Sequence, residues 1–218
     1  MHVINQDTWR RRDHFNLYNS MAFPHIGIGV QIDITTLWSS RSRFKSSPTI
    51  TLVYLLTKAA NRVPELRQRI QDQQVIEYEI IHATLAVLAE DNTFGVCRLT
   101  YNPVFSDFAS KAEICIENIK KEPSMVDFHI DQKGNITSDD ILAITVLPWI
   151  SFTSFDLTRT PQNDSVPLLA WGKVYKQEGR YLLPFFINFH HALVDGIHIA
   201  QYIQFIEEEV LDLSYILN

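Results

Sequence analysis

The chain has 218 residues, 46% of them hydrophobic, with 19 basic against 25 acidic residues and a net charge of −6 at pH 7. This length and apolar content suffice for one well-buried domain, and no Gly/Ser/Pro-rich linker, repeat or low-complexity tract divides it, so residues 1–218 read as a single domain. The negative balance argues against general nucleic-acid binding, which needs a cationic surface to displace counterions.

In chain order, residues 8–18 read as a short helix capped by Asp7 or Thr8. Residues 27–34 alternate small and apolar side chains as a strand does, and 35–44 look helical. Pro48 opens a longer helix with Leu52, Leu55, Leu56, Ala59 and Val63 among its apolar positions, stopping near Pro64. Strands follow at 75–78, 82–88 and 94–100, with Glu90, Asp91 and Asn92 as a turn. Residues 106–121 read as a helix. The remaining strands are expected at 142–146, 149–155, 168–175 and 181–189, the last two joined through Glu178 and Gly179. A final helix over 197–213 lays Ile197, Ile199, Ala200, Ile203, Ile206 and Val210 largely on one face. Strands and helices are interspersed without strict alternation, which predicts an α/β fold with a mixed sheet.

The most informative stretch is Asn188-Phe189-His190-His191-Ala192-Leu193-Val194-Asp195-Gly196, between the apolar strand and the last helix. Strand-end turns are where rigid scaffolds usually present chemistry, and Gly196 gives this one backbone freedom. Adjacent residues on a strand point to opposite faces, so only one of the two histidines can face a given cavity. Metal binding by the pair is therefore not expected. Taken alone, a histidine beside an apolar strand is more often a hydrogen-bonded core residue.

His190-His191-x-x-x-Asp195-Gly196 resembles the signature of the chloramphenicol acetyltransferase family. Further blocks occur in family order. Residues Trp9-x-Arg11-Arg12-Asp13-His14-Phe15 resemble its N-terminal helix and Ile32-Asp33-Ile34-Thr35 its first long strand. The run from Pro148-Trp149 to Asp156-Leu157 is similar to another block, and Gly172-Lys173 with Tyr175 to a further one. The shorter His-x-x-x-Asp-Gly pattern is shared by lipoyl-dependent acyltransferases and condensation domains, so the ordered blocks carry the resemblance. It implies a two-layer sandwich assembled as a homotrimer, with active sites at subunit interfaces and acetyl-CoA as co-substrate.

The resemblance also implies roles for particular residues. His191 is the general base, with its ring nitrogen held by its own backbone carbonyl. A histidine with an ordinary pKa near ~6.5 suits deprotonation of a hydroxyl at neutral pH. Asp195 is structural and pairs with Arg11; without the resemblance, Arg10, Arg11 and Arg12 read as surface charge. Thr145 stands where the family has the serine that stabilises the oxyanion, although by itself it reads as an ordinary β-branched strand residue. Lys45 and Lys173 fall at positions lining the coenzyme channel, and Tyr18, Phe94, Val96, Phe155 and Leu157 at the acceptor pocket, where core packing is the alternative for each.

Two departures stand out: Ala170 replaces a family hydroxyl that assists the intermediate through water, and Val174 replaces a tyrosine. The residues around Ala22-Phe23-Pro24 and Met125-Val126-Asp127-Phe128 match poorly, which bears on acceptor identity.

The expected activity is acetyl-CoA-dependent O-acetylation of chloramphenicol or a similar amphipathic alcohol, with antibiotic resistance as the expected role. The alternatives are a dihydrolipoyl acyltransferase-type catalytic domain and a non-catalytic ligand-binding protein of the same fold. No metal, nucleic-acid or membrane partner is expected. Residues 1–7 lack the apolar core of a secretory signal, no apolar run reaches membrane-spanning length, and Cys97 and Cys115 form no metal or redox motif. A cytoplasmic setting is the expectation.

Overall fold

The structure is a computed structural model and describes residues 1–129, 137–159 and 164–217. In chain order its elements are β1 (His2–Val3), α1 (Arg12–Asn19), β2 (His25–Asp33), α2 (Thr35–Ser40), α3 (Pro48–Asn61), β3 (Gln68–Gln71), β4 (Gln74–Glu77) and β5 (His82–Leu88). Then follow β6 (Phe94–Leu99), α4 (Phe105–Lys121), β7 (Ile141–Leu147), β8 (Leu168–Gly172), β9 (Tyr175–Gln177), β10 (Arg180–His190), α5 (Gly196–Leu211) and α6 (Ser214–Leu217).

Local chemistry accounts for the element ends. Ser47 caps α3 by accepting from the Ile50 N–H at 3.2 Å, with Pro48 opening the helix. Between β9 and β10 the chain reverses through Glu178 and Gly179 at φ of 50° and 83°, the left-handed pair that suits a tight hairpin.

A 7-stranded mixed sheet has the order β2-β10-β8-β7-β5-β6, with β9 paired to β10. The β5–β7 and β7–β8 pairs are parallel and the others antiparallel. Residues alternate between its faces. Phe185, Ile187 and Phe189 of β10 join the main core with Ile32, Leu85, Ile144 and Leu169, and α3, α4 and α5 cover that face through residues such as Leu56, Phe108 and Tyr202. Phe186, Asn188 and His190 point to the opposite face, which carries a smaller apolar cluster of Ile141, Val166 and Leu168. The result is a two-layer α/β sandwich with one sheet face left for other uses. On that face Gly27 lies so close to Phe186 that an added Cβ would meet its Cζ at 2.5 Å.

Four sequence expectations need correction. The first helix begins at Arg12 rather than residue 8, because the preceding chain is spent on local turns: Asn5 Oδ1 accepts the Asp7 N–H, and the Thr8 hydroxyl donates to the Asn5 carbonyl. Residues 149–155 form no strand. The chain turns after Leu147, with the Ile150 N–H on the Leu147 carbonyl, and Phe152 and Phe155 lie over Gly172 and Phe186. The strand expected over 168–175 is two, interrupted at Lys173 and Val174.

The last correction concerns β1 and β3, which the sequence did not reveal and which make a 3-stranded sheet with β4. The pattern Gln68-Arg69-Ile70-Gln71 looks solvent-facing, yet Arg69 is fully buried. Its guanidinium donates to the carbonyls of Leu66, Gln68, Asp139 and Ile141, which satisfies the cation without a directly bonded carboxylate.

Candidate active site

The turn after β10 separates its two histidines. His190 faces the open side of the sheet, edge-on to His25 with ring centres 5.0 Å apart. His191 turns the other way, with its N–H on the Pro24 carbonyl at 2.8 Å and its ring 4.0 Å from that of Tyr18. The Leu193 and Val194 N–H groups both return to the His190 carbonyl at 3.1 Å, and this tight reversal brings the Val194 carbonyl to the imidazole. His191 Nδ1 lies 2.9 Å from that oxygen. A carbonyl can only accept, so the geometry assigns the proton to Nδ1 and leaves the Nε2 lone pair available. Here the resemblance misled: the carbonyl of His191 does not hold its own ring, but accepts Arg11 Nη2 at 3.2 Å.

Asp195 is the N-cap of α5. Its carboxylate accepts the Gly196 N–H at 2.6 Å, and a capping box with His198 returns a bond from the Asp195 N–H to His198 Nδ1 at 2.9 Å. The Gly196 N–H, and secondarily the charges of His191, Arg11 and His198, hold the Asp195 carboxyl below its ordinary pKa. Arg11 Nη1 is 3.8 Å from Asp195 Oδ2, the outer limit of an ion pair. Arg11 thus spans the turn, reaching both the His191 carbonyl and the Asp195 carboxylate. On the far side, His198 Nε2 stands 3.6 Å from Glu65 Oε1.

On the open sheet face, a cavity of about 290 Å³ is lined by Phe94, Val96, Thr145 and Leu157, together with Arg159 and His129. The register explains the grouping. Thr145 pairs with Ala170 and Ala170 with Phe186, so these side chains form one row across β7, β8 and β10. Ala143, Leu168 and Asn188 form the neighbouring row. Arg159 lies over that second row, donating from Nε and Nη2 to the side-chain and backbone oxygens of Asn188. Arg159 and His129 had no sequence signal: a lone arginine in a polar loop reads as surface charge.

Tyr18 and Phe155 do not line the cavity. Tyr18 packs on His191, and Phe155 stacks on Phe152 with ring centres 5.3 Å apart. Nor does His191 reach it within one chain. It lies five residues beyond Phe186 along β10, and Thr145 is two strands away. At about 3.3 Å per residue and about 4.8 Å between strands, their Cα atoms are on the order of 19 Å apart.

A second cleft, of about 590 Å³, opens between the start of α3 and the turn after β7, lined by Ser47, Ile50, Val146, Pro148 and Trp149 among others. Lys45 and Lys173 are both exposed and neither lines it. Lys45 precedes the Ser47 cap, and the Lys173 N–H donates to the carbonyl of Ile150, next to Trp149. Ala170 is fully buried and offers no side-chain donor; Val174 packs at the edge of the main core.

A family model described as chloramphenicol acetyltransferase matches residues 1–207. Chloramphenicol acetyltransferase 3 of Escherichia coli is 31% identical over 205 residues, covering 92% of each chain. Chloramphenicol acetyltransferase of Bacillus pumilus is 28% identical over 202 residues, covering 92% of this chain and 89% of its own. A solved structure described as chloramphenicol acetyltransferase has a TM-score of 0.83 at 24% identity, with 96% of this chain and 99% of that one covered. The cubic core of the pyruvate dehydrogenase multienzyme complex shares the fold at a TM-score of 0.67 and 18% identity, over 94% of this chain and 88% of that one.

Proposed function

The chain belongs to the chloramphenicol acetyltransferase family, and on that premise we propose that it acetylates the hydroxyl of chloramphenicol, or of a similar amphipathic alcohol, with acetyl-CoA. As a member of the family it is an acyltransferase. The observation that carries the specific reading is the His191 Nδ1 contact with the Val194 carbonyl, which frees Nε2 to accept a proton.

In this reading Nε2 of His191 removes the proton of the acceptor hydroxyl as its oxygen attacks the thioester carbon. The tetrahedral intermediate carries its negative charge on the former carbonyl oxygen, to which the Thr145 hydroxyl donates. Collapse breaks the carbon–sulfur bond, and the imidazolium returns the proton to the departing thiolate. The products are the acetyl ester and free coenzyme A. Arg11 and Asp195 fix the turn that aims His191, while Phe94, Val96 and Leu157 bound the acceptor, with Tyr18 and Phe155 at its margins. Lys45 and Lys173 meet the phosphates of coenzyme A at the cleft beside α3.

The separation of His191 from Thr145 supports a site built between two copies, one supplying the base and the other the cavity, within a homotrimer. Phe23, Val126, Trp149 and Phe94, which are 92%, 81%, 61% and 54% exposed, are apolar groups that such contacts would cover. Among the described residues no helix is long and apolar enough to cross a membrane. The reading places the enzyme in the cytoplasm, as a source of chloramphenicol resistance, with its thiols Cys97 and Cys115 both free.

The test is release of free thiol from acetyl-CoA with chloramphenicol, with dihydrolipoamide and with no acceptor. The reading predicts release with chloramphenicol alone. Release chiefly with dihydrolipoamide, or chloramphenicol binding without release, would overturn it.

A further inference from the structure

One end of the acceptor cavity is not apolar. Arg159 is embedded there, with Nη1 donating to Asp164 Oδ2 at 3.1 Å and to the Val166 carbonyl at 2.7 Å, Nε to Asn188 Oδ1 at 2.7 Å and Nη2 to the Asn188 carbonyl at 3.0 Å. A guanidinium has five N–H donors, so the second hydrogen on Nη2 has no partner among the described residues. His129 lines the same end with a ring nitrogen that has no hydrogen-bond partner among the described residues. Its side chain is 4% exposed, and its buried Nε2 lies 3.5 Å from Asp164 Oδ2 without hydrogen-bond alignment.

Burial opposes ionisation of Asp164, but His129 and Arg159 outweigh it and hold the carboxyl at about 2. Arg159 is therefore already neutralised by an ionised partner. A carboxylate brought into this end would be desolvated beside the like charge of the ionised Asp164, whereas a neutral acceptor group would satisfy donors left open among the described residues. The row carrying these groups is one residue pair from the Thr145 row, about 7 Å along the strands, so they lie away from the reacting centre.

We propose that Arg159 and His129 determine specificity by reading a neutral hydrogen-bond-accepting group at the end of the acceptor remote from its reacting hydroxyl. The proposal rests on Thr145's cavity being the acceptor site. Chloramphenicol has this chemistry, with a ring nitro group at the opposite end from its primary hydroxyl.

The test compares kcat/KM for chloramphenicol, its analogue with hydrogen in place of the nitro group, and its analogue with a carboxylate there. The wild-type protein should prefer the nitro compound to the hydrogen analogue by at least about tenfold, because an unfilled buried donor penalises the analogue. The carboxylate should be the poorest of the three. Arg159→Lys keeps a cation for Asp164 but loses the fork, and His129→Phe removes the unpartnered ring nitrogen. Both should bring the nitro-to-hydrogen ratio towards one while the KM for acetyl-CoA stays constant.

Equal use of the nitro and hydrogen compounds by the wild type would overturn the proposal. So would variants that lose both in parallel, which marks a purely structural role, or a carboxylate acceptor that equals the nitro compound. Turnover of none of the three by the wild type would instead overturn the acetyltransferase reading on which it rests.

Discussion

His191 Nδ1 is 2.9 Å from the carbonyl oxygen of Val194, and the carbonyl of His191 itself is taken by Arg11 at 3.2 Å. The same turn therefore sets the tautomer of the imidazole and ties its backbone to α1. A base held this way has little freedom to rotate out of alignment, which is worth most in a step that needs a directed proton transfer.

Thr145 is expected to supply the oxyanion donor. Thr145→Val keeps the shape and removes the hydroxyl, so kcat should fall by at least about 30-fold with little change in KM, since the bond forms mainly in the transition state. Thr145→Ser should stay active. Steady-state kinetics with acetyl-CoA and chloramphenicol checks both, and a valine variant as fast as the parent would make the hydroxyl a bystander.

Arg11 and Asp195 should behave as a coupled pair. Arg11→Gln and Asp195→Asn should each lower activity and Tm, and the double variant should lose less than the sum. Because the closest approach is 3.8 Å, much of the Arg11 effect should come from its bond to the His191 carbonyl. A double-mutant cycle with strictly additive losses would show that the pair does not couple.

The capping box gives a pH dependence with a definite sign. Burial, with Arg11 adding, holds the pKa of His198 below its ordinary value, against the opposing pull of Glu65 and Asp195. Near its ordinary pKa the unfolded chain then binds more protons than the folded one, so stability is present above that pKa and is lost as pH falls through the folded value. Protonation of Nδ1 would also end its acceptance of the Asp195 N–H. His25 and His82 are lowered by burial as well and add to the slope. His198→Gln keeps an acceptor for the cap without titrating. Its Tm should decline less than the parent's between about pH 7 and pH 5, around the ordinary histidine range; an unchanged slope would contradict the assignment.

If the base and the oxyanion donor come from different copies, inactive variants should complement each other. Co-refolded His191→Ala and Thr145→Val chains should recover up to about a quarter of wild-type activity, the share of sites that draw both intact residues in random assembly. No recovery in assemblies shown to be mixed would place both groups in one chain.

Much of the architecture was legible because it follows local rules. Pro48 announced α3, the Glu178-Gly179 reversal joined β9 to β10, small-apolar alternation marked β2, and an apolar run almost without charge marked β10. The apolar run at 149–155 misled because its aromatic rings cover Gly172 and Phe186 on the open sheet face instead of joining a ladder. β3 stayed hidden because its polar side chains find partners only through the fold, Arg69 on backbone carbonyls such as that of Ile141 and Gln71 on the Asp139 carboxylate. The candidate site divides in the same way. The histidine turn stood out in the sequence, but the roles of Arg11 and Thr145 came from resemblance alone. Arg159 was invisible because Asn188 approaches it only through the fold.

The most direct test of the account is thiol release from acetyl-CoA and chloramphenicol by His191→Ala, measured beside its Tm. Loss of the base should reduce turnover by about 10²–10⁴-fold while the fold stays intact, because no neighbouring group takes its place. A folded variant that keeps more than about a tenth of wild-type turnover, well short of the loss a missing general base causes, would contradict the assignment of His191.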